Sequence, residues 1–257
     1  MISYAQARED VLLQRALHHV PPHEGFYVDL GAYDPHTDSV TKHFYDHGWH
    51  GINVEPGEDL FPLFEQCRQR DINLKVAVTD EPGEVTFHEV EGQLGTLVDK
   101  FADRHEAAGL SRRSYTVPAM TLTQICEAHA PRDIHFLKID VEGAEAAAIR
   151  GMDFARFRPW IMVIESCEPN DLSTSTHHEW EDMVVSAGYR FVYTDVLNRY
   201  YVADEHIDLQ RFFLLPADDY HYGFIMRELD ALRAERLALI SEIEDLNRQL
   251  SAAPLLR

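Results

Sequence analysis

Acids and one glycine stand at the ends of short apolar runs. In an α/β protein those are the places from which side chains reach a ligand. Phe26-Tyr27-Val28-Asp29-Leu30 runs into Gly31 and the turn Ala32-Tyr33-Asp34-Pro35. Gly51-Ile52-Asn53-Val54 ends in Glu55, and Asn73-Leu74-Lys75-Val76-Ala77-Val78 is followed by Asp80. Further on, residues 134–139 end in Asp140 and residues 160–164 end in Glu165. A carboxylate at a strand end can accept hydrogen bonds from hydroxyls, hold a cation or take a proton.

The first pair of runs predicts an adenosine held between neighbouring parallel strands, and S-adenosylmethionine is the cofactor that fits. Glu55 would accept from the ribose 2′ and 3′ hydroxyls, as acids after the second strand do in dinucleotide folds. Asp29 would receive the ligand's ammonium, and Gly31 would let the backbone approach without a Cβ. Asp80 would meet the adenine amino group. The turn after Gly31 is no GxGxxG, which disfavours a nicotinamide dinucleotide, and GxxxxGK[ST] is absent.

Positioning these residues requires strands alternating with helices, hence an α/β fold with a mainly parallel sheet and an antiparallel closing edge. Helices are expected over residues 4–19, 37–48, 57–70, 121–130, 143–149 and 177–187. The closing strands are expected at 191–194 and 212–215. Residues 91–114, polar and punctuated by glycine, read as an excursion over the site. A heptad seam, Ile225, Leu229, Leu232, Arg236, Leu239, Ile243, Leu246 and Leu250, predicts a coiled-coil-like tail that makes a homo-oligomer or docks a partner. The organisation expected is an N-terminal helix (1–22), a catalytic domain (23–222) and the heptad helix (223–257).

With 257 residues and a net charge of −21, the chain suits one domain plus an appendage. The charge argues against nucleic acid and against anionic lipid surfaces. No run nears the ~20 apolar residues of a membrane span. Cys67, Cys126 and Cys167 are scattered, and no secretory signal is seen, so a cytoplasmic protein with reduced thiols is expected.

Three segments resemble the FkbM family of methyltransferases: residues 29–35 with Ser39-Val40-Thr41 and Phe44 to Pro56; residues 136–145; and Arg158-Pro159-Trp160-Ile161-Met162-Val163-Ile164-Glu165. The resemblance spans about residues 24–215. It implies a class I methyltransferase (Rossmann-like) fold with helices on both faces, and methyl transfer to a hydroxyl, often of a sugar or polyketide. It adds Ser39 to the cofactor candidates, as a partner of the methionine carboxylate. A saccharide acceptor suits the aromatics and acids of the chain.

An alcohol must lose or mask its proton to attack a sulfonium. Asp140 and Glu165 are the catalytic candidates, and two readings stay open. They coordinate a hard divalent ion such as Mg²⁺, or a carboxylate or a histidine, His177 foremost, acts as general base. Glu142, two residues past Asp140, is placed to face the same cleft. His135 reads as a core histidine, and Lys138 needs an acidic partner: Asp29, Asp140 or Glu165. The rival to an enzyme is an inactive methyltransferase-like scaffold serving coiled-coil assembly.

Overall fold

An apolar run without alternation makes a strand only where both faces of the sheet are covered, and the central runs of this chain meet that condition. The computed structural model describes residues 1–91, 94–131 and 133–217, with positions 232, 233, 235, 236, 239, 240 and 243. In chain order the elements are α1 (Glu9–Leu17), β1 (Phe26–Leu30), α2 (Lys42–Asp46), β2 (His50–Val54), α3 (Phe61–Cys67), β3 (Ile72–Leu74), β4 (Ala77–Val78), β5 (Gly83–Val90), α4 (Asp99–Ala107), β6 (Arg112–Met120), α5 (Leu122–His129), β7 (Phe136–Ile139), α6 (Glu145–Arg150), β8 (Ile161–Glu165), β9 (Cys167–Glu168), β10 (Asp171–Ser175), α7 (Glu181–Ser186), β11 (Tyr189–Thr194) and β12 (Asn198–Ala203).

The main sheet has the order β11-β12-β8-β7-β1-β2-β3. Neighbours from β3 to β8 run parallel, and β12 is antiparallel to both β8 and β11. The chain leaves β1 toward β2 on one side and returns later to β7 on the other. That reversal is the switch point where open α/β sheets bind ligands. A second sheet, β4-β6-β5, lies beyond β3 in sequence.

Phe26, Val28 and Leu30 of β1 join one core with Leu122 and Ile125 of α5, Ala148 and Ile149 of α6 and Val184 of α7. The alternate residue Tyr27 faces the other side, where its ring stacks on Phe136 and Phe44 of α2 packs on Phe136 and Trp49. Beneath that face Asp71 accepts from the Tyr27 hydroxyl (2.6 Å), the Gly51 N–H (2.9 Å) and the Asn53 amide (2.9 Å), which ties β1 to β2 through buried polar groups. Thr121 caps α5, with Gln124 answering in a capping box. His135 is buried and accepts from the Phe26 N–H at 3.1 Å, and burial pushes its pKa down to about 4.

Several expected elements differ. The run at 73–78 divides: Asn73 and Leu74 pair with β2, while Ala77 and Val78 pair with β6. Helix 37–48 contracts to α2, because Asp38 takes a left-handed φ of 53°. The excursion at 91–114 holds α4 and the start of β6. Residues 212–215 form no strand. Asp204–Phe213 is a 3₁₀ segment; the expected strand 191–194 falls within β11 at the sheet edge, and between it and β8 lies β12, whose register with β8 pairs Asn198 with Glu165.

Ser3–Pro216 form one unit, which includes α1, and Met1–Ile2 with Ala217–Arg257 form another. Of the heptad positions, Leu232, Arg236, Leu239 and Ile243 are helical and exposed, whereas Ile225, Leu229, Leu246 and Leu250 lie outside the described residues. Among the described residues no helix is long and apolar enough to cross a membrane.

Candidate active site

Register brings the strand-end residues into one row. Leu30 pairs with Val54 on one side and Ile139 on the other, and Ile139 pairs with Ile164. The residues that follow, Glu55, Gly31, Asp140 and Glu165, therefore stand side by side, with Asn198 next in line. A cleft of about 900 Å³, open mouth included, lies over Glu55, Gly31 and Asp140 and also takes in Glu142. Its walls carry Leu60, Val76, Val78, Phe87 and Leu97, an apolar lining with a few convergent polar groups.

Gly31 has φ +73°, and a Cβ there would overlap the Asp140 carbonyl oxygen. Its bare backbone lets the ends of β1 and β7 close up, while the N–H groups of Gly31 and Ala32 both bond the Val54 carbonyl. Tyr33, Asp38 and Glu142, all lining the cleft, also hold positive φ. Such strained positions gather where a ligand is held.

Glu55 is buried and accepts from the Tyr33 N–H (2.9 Å) and the Gly57 N–H (2.7 Å). A carboxylate offers about four acceptor positions, so capacity remains toward the cleft. Burial lifts its carboxyl to about 7, with nearby Glu89 adding to the rise.

At the other end of the row, one oxygen each of Asp140, Glu142 and Glu165 lies within 4.8 Å of the others. Burial raises Glu142 and Glu165 well above the ordinary carboxylate range, and the Asp140 charge raises both further. Among the described residues, the buried Glu142 Oε2 and Glu165 Oε2 meet no hydrogen-bond partner. Lys138, buried beneath, donates to Asp140 (2.8 Å) and Asn198 (2.9 Å), so its partner is Asp140. The neighbouring carboxylates hold its pKa up against burial.

The remaining candidates stand elsewhere. Asp29 is buried on β1 with Thr41, and burial lifts it to about 6. Ser39 is buried and accepts from the Arg68 guanidinium at 2.9 Å. Asp80 is exposed and bound by Arg150 at 3.0 Å. His177 pairs with Ser175 and Glu181 and does not line the cleft. Sequence reasoning missed Gln6, Asp38 and the apolar wall as parts of the cleft. Only the spacing of Glu142 from Asp140 carried a signal.

The buried acids set a pH dependence. Glu9, Glu55 and Glu145 reach about 7, each chiefly through burial. Their folded pKa exceeds the unfolded value, so their contribution is complete below about 4.5 and is lost as pH rises through 7. Buried His43 and His135, lowered to about 4, act in the opposite sense, but only up to the ordinary histidine value of 6.5. Above that the carboxyls govern, and three groups titrating near 7 cost about 2 kcal/mol between about pH 6.5 and 8. Urea unfolding is expected to show the lower midpoint at pH 8. Equal midpoints would mean these acids are not buried as protonated groups.

Residues 29–191 match the family model of the methyltransferase FkbM domain, a span that holds Asp29, Gly31, Glu55, Asp140 and Glu165. None of the curated proteins matches the chain.

Proposed function

The chain belongs to the methyltransferase FkbM family, and from that premise we propose that it is an S-adenosylmethionine-dependent O-methyltransferase whose acceptor is a hydroxyl of a saccharide. The observation that carries this reading is the row of Glu55, Gly31 and Asp140 under one cleft at the carboxyl ends of β2, β1 and β7. The residues fit the donor. Glu55 is locked by two backbone N–H groups with acceptor capacity left for a ribose diol. Leu60, Val76, Val78 and Phe87 offer an apolar wall for a base. The donor supplies an electrophilic methyl on a sulfonium, and the protein must bind it, orient the alcohol and remove the hydroxyl proton.

The acid cluster supports a finer reading. Asp140, Glu142 and Glu165 would hold a hard divalent cation such as Mg²⁺, which lowers the pKa of a hydroxyl it binds. The two buried, unpartnered oxygens of Glu142 and Glu165 favour that over a lone carboxylate base.

Calorimetric titration with S-adenosylhomocysteine tests the donor site. Glu55→Ala is expected to weaken binding by about 1–3 kcal/mol, the loss of hydrogen bonds to a charged group. Asp80→Ala, which removes a carboxylate already engaged by Arg150, is expected to leave affinity unchanged. Equal affinity in wild type and Glu55→Ala would remove the ribose assignment, and no binding to wild type would leave the scaffold reading in its place.

A further inference from the structure

The segment ahead of α1 lies outside the residues matched by the family model, yet it reaches the cleft: Gln6 lines it together with Gly31, Glu55, Asp140 and Glu142. Residues 3–8 are folded back by two buried acids at the start of α1. Asp10 accepts from the Ser3 hydroxyl (2.7 Å) and the Tyr4 N–H (2.8 Å), and Glu9 Oε2 accepts from the Ala7 N–H (2.9 Å). Arg8 turns the chain into the helix with a left-handed φ of 66°. The other oxygen of Glu9 continues inward. It accepts from Asn198 (2.9 Å), whose carbonyl accepts from Lys138 (2.9 Å), which donates to Asp140 (2.8 Å). Glu9 and Asn198 are both fully enclosed and both lie beyond the matched span. One carboxylate thus ties the leading segment to the residue at the centre of the acid cluster.

We propose that residues 3–8 form a wall of the donor cleft, with Gln6 as a binding residue and Glu9 as a positioning residue that acts on Asp140 through Asn198 and Lys138. The inference rests on the cleft being the donor site. A buried acid that bonded only to its own helix turn would serve stability alone. Glu9 instead divides its two oxygens between the wall and the polar chain, so a shift of one moves the other. A short leading segment opens transiently, and a donor bound against Gln6 would hold residues 3–8 in place.

Trypsin cleavage after Arg8 in the full-length protein, followed by mass spectrometry of the released N-terminal peptide, reads that opening. Cleavage of a segment that opens transiently tracks the open population, and a ligand that binds only the closed form suppresses it in proportion to [L]/Kd. S-adenosylhomocysteine at about 100 times its Kd is therefore expected to slow cleavage after Arg8 by at least about tenfold. Gln6→Ala is expected to weaken binding of the same ligand about two- to tenfold, the loss of one hydrogen bond. Glu9→Gln, which retains one acceptor oxygen of two, is expected to speed cleavage after Arg8 and to reduce protection by ligand. Wild type that binds S-adenosylhomocysteine but is cleaved after Arg8 at the same rate with and without it overturns this inference alone. Wild type that does not bind overturns the donor reading and this inference together.

Discussion

Gly31→Ala is expected to destabilise the fold by about 3–6 kcal/mol. A left-handed backbone costs a residue with a Cβ about 1–2 kcal/mol, and Gly31 has φ +73°. The larger part comes from overlap with the Asp140 carbonyl, a backbone atom that no rotamer change can move aside. Relief requires the ends of β1 and β7 to part, which strains the Asp140 N–H bond to Leu30 and the bonds of Gly31 and Ala32 to Val54. Overpacking of this kind adds about 1–3 kcal/mol, and each weakened bond about 0.5–1.5 kcal/mol. Gly109→Ala is the control. Gly109 has φ +93° with open space where its Cβ would point, so it carries the conformational cost alone, about 1–2 kcal/mol. Urea unfolding of both variants separates the two contributions. Equal losses would show that close approach of the two strand ends is not what requires glycine at 31.

That expectation depends on a neighbour relation that local sequence does not contain. The runs ending at Leu30, Val54, Ile139 and Glu165 are legible as strands because each is apolar, short and closed by an acid or a glycine. Which of them touch is set by long-range pairing. Nothing near Gly31 says that Asp140, over a hundred residues on, lies against it. The same limit explains Asp80. Its placement over the adenine assumed one strand through residues 73–78, but the chain changes sheets between Leu74 and Ala77. The closing strand failed for a different reason. Phe212-Phe213-Leu214-Leu215 and Asn198 to Ala203 are both rich in strand formers, and β8 pairs with the second. Leu214 and Leu215 are left exposed. His177 fails as a base because of a pairing that local sequence does not contain. With β9 and β10 paired as a hairpin, its ring is turned to Ser175 and Glu181.

The acid cluster is where sequence and register agree, and there the second large effect is expected. Asp140→Asn and Glu165→Gln should each cut methyl transfer from labelled donor to a saccharide acceptor by about 10²–10⁴-fold, the range for loss of a group that handles the reacting proton. Donor affinity should change little, because neither side chain replaces Glu55. Asn at 140 can still accept from Lys138 but removes the charge that pairs the buried ammonium, so urea unfolding of the variant is measured beside turnover to separate loss of fold from loss of chemistry. Glu142→Gln separates the chemical readings. A cation held by Asp140, Glu142 and Glu165 needs all three carboxylates, since a neutral amide is a weaker ligand for a hard ion. Manganese titrated into wild type should then give a bound electron paramagnetic resonance signal that Glu142→Gln and Glu165→Gln lose along with turnover. A base without a cation predicts no such signal and leaves Glu142→Gln active. His177→Ala, on a side chain that does not line the cleft and is engaged by Ser175 and Glu181, should leave turnover within about twofold, inside the range of ordinary surface changes. Loss of turnover in that variant, with Asp140→Asn still active, would move the proton-accepting group from the end of β7 to the hairpin after β8.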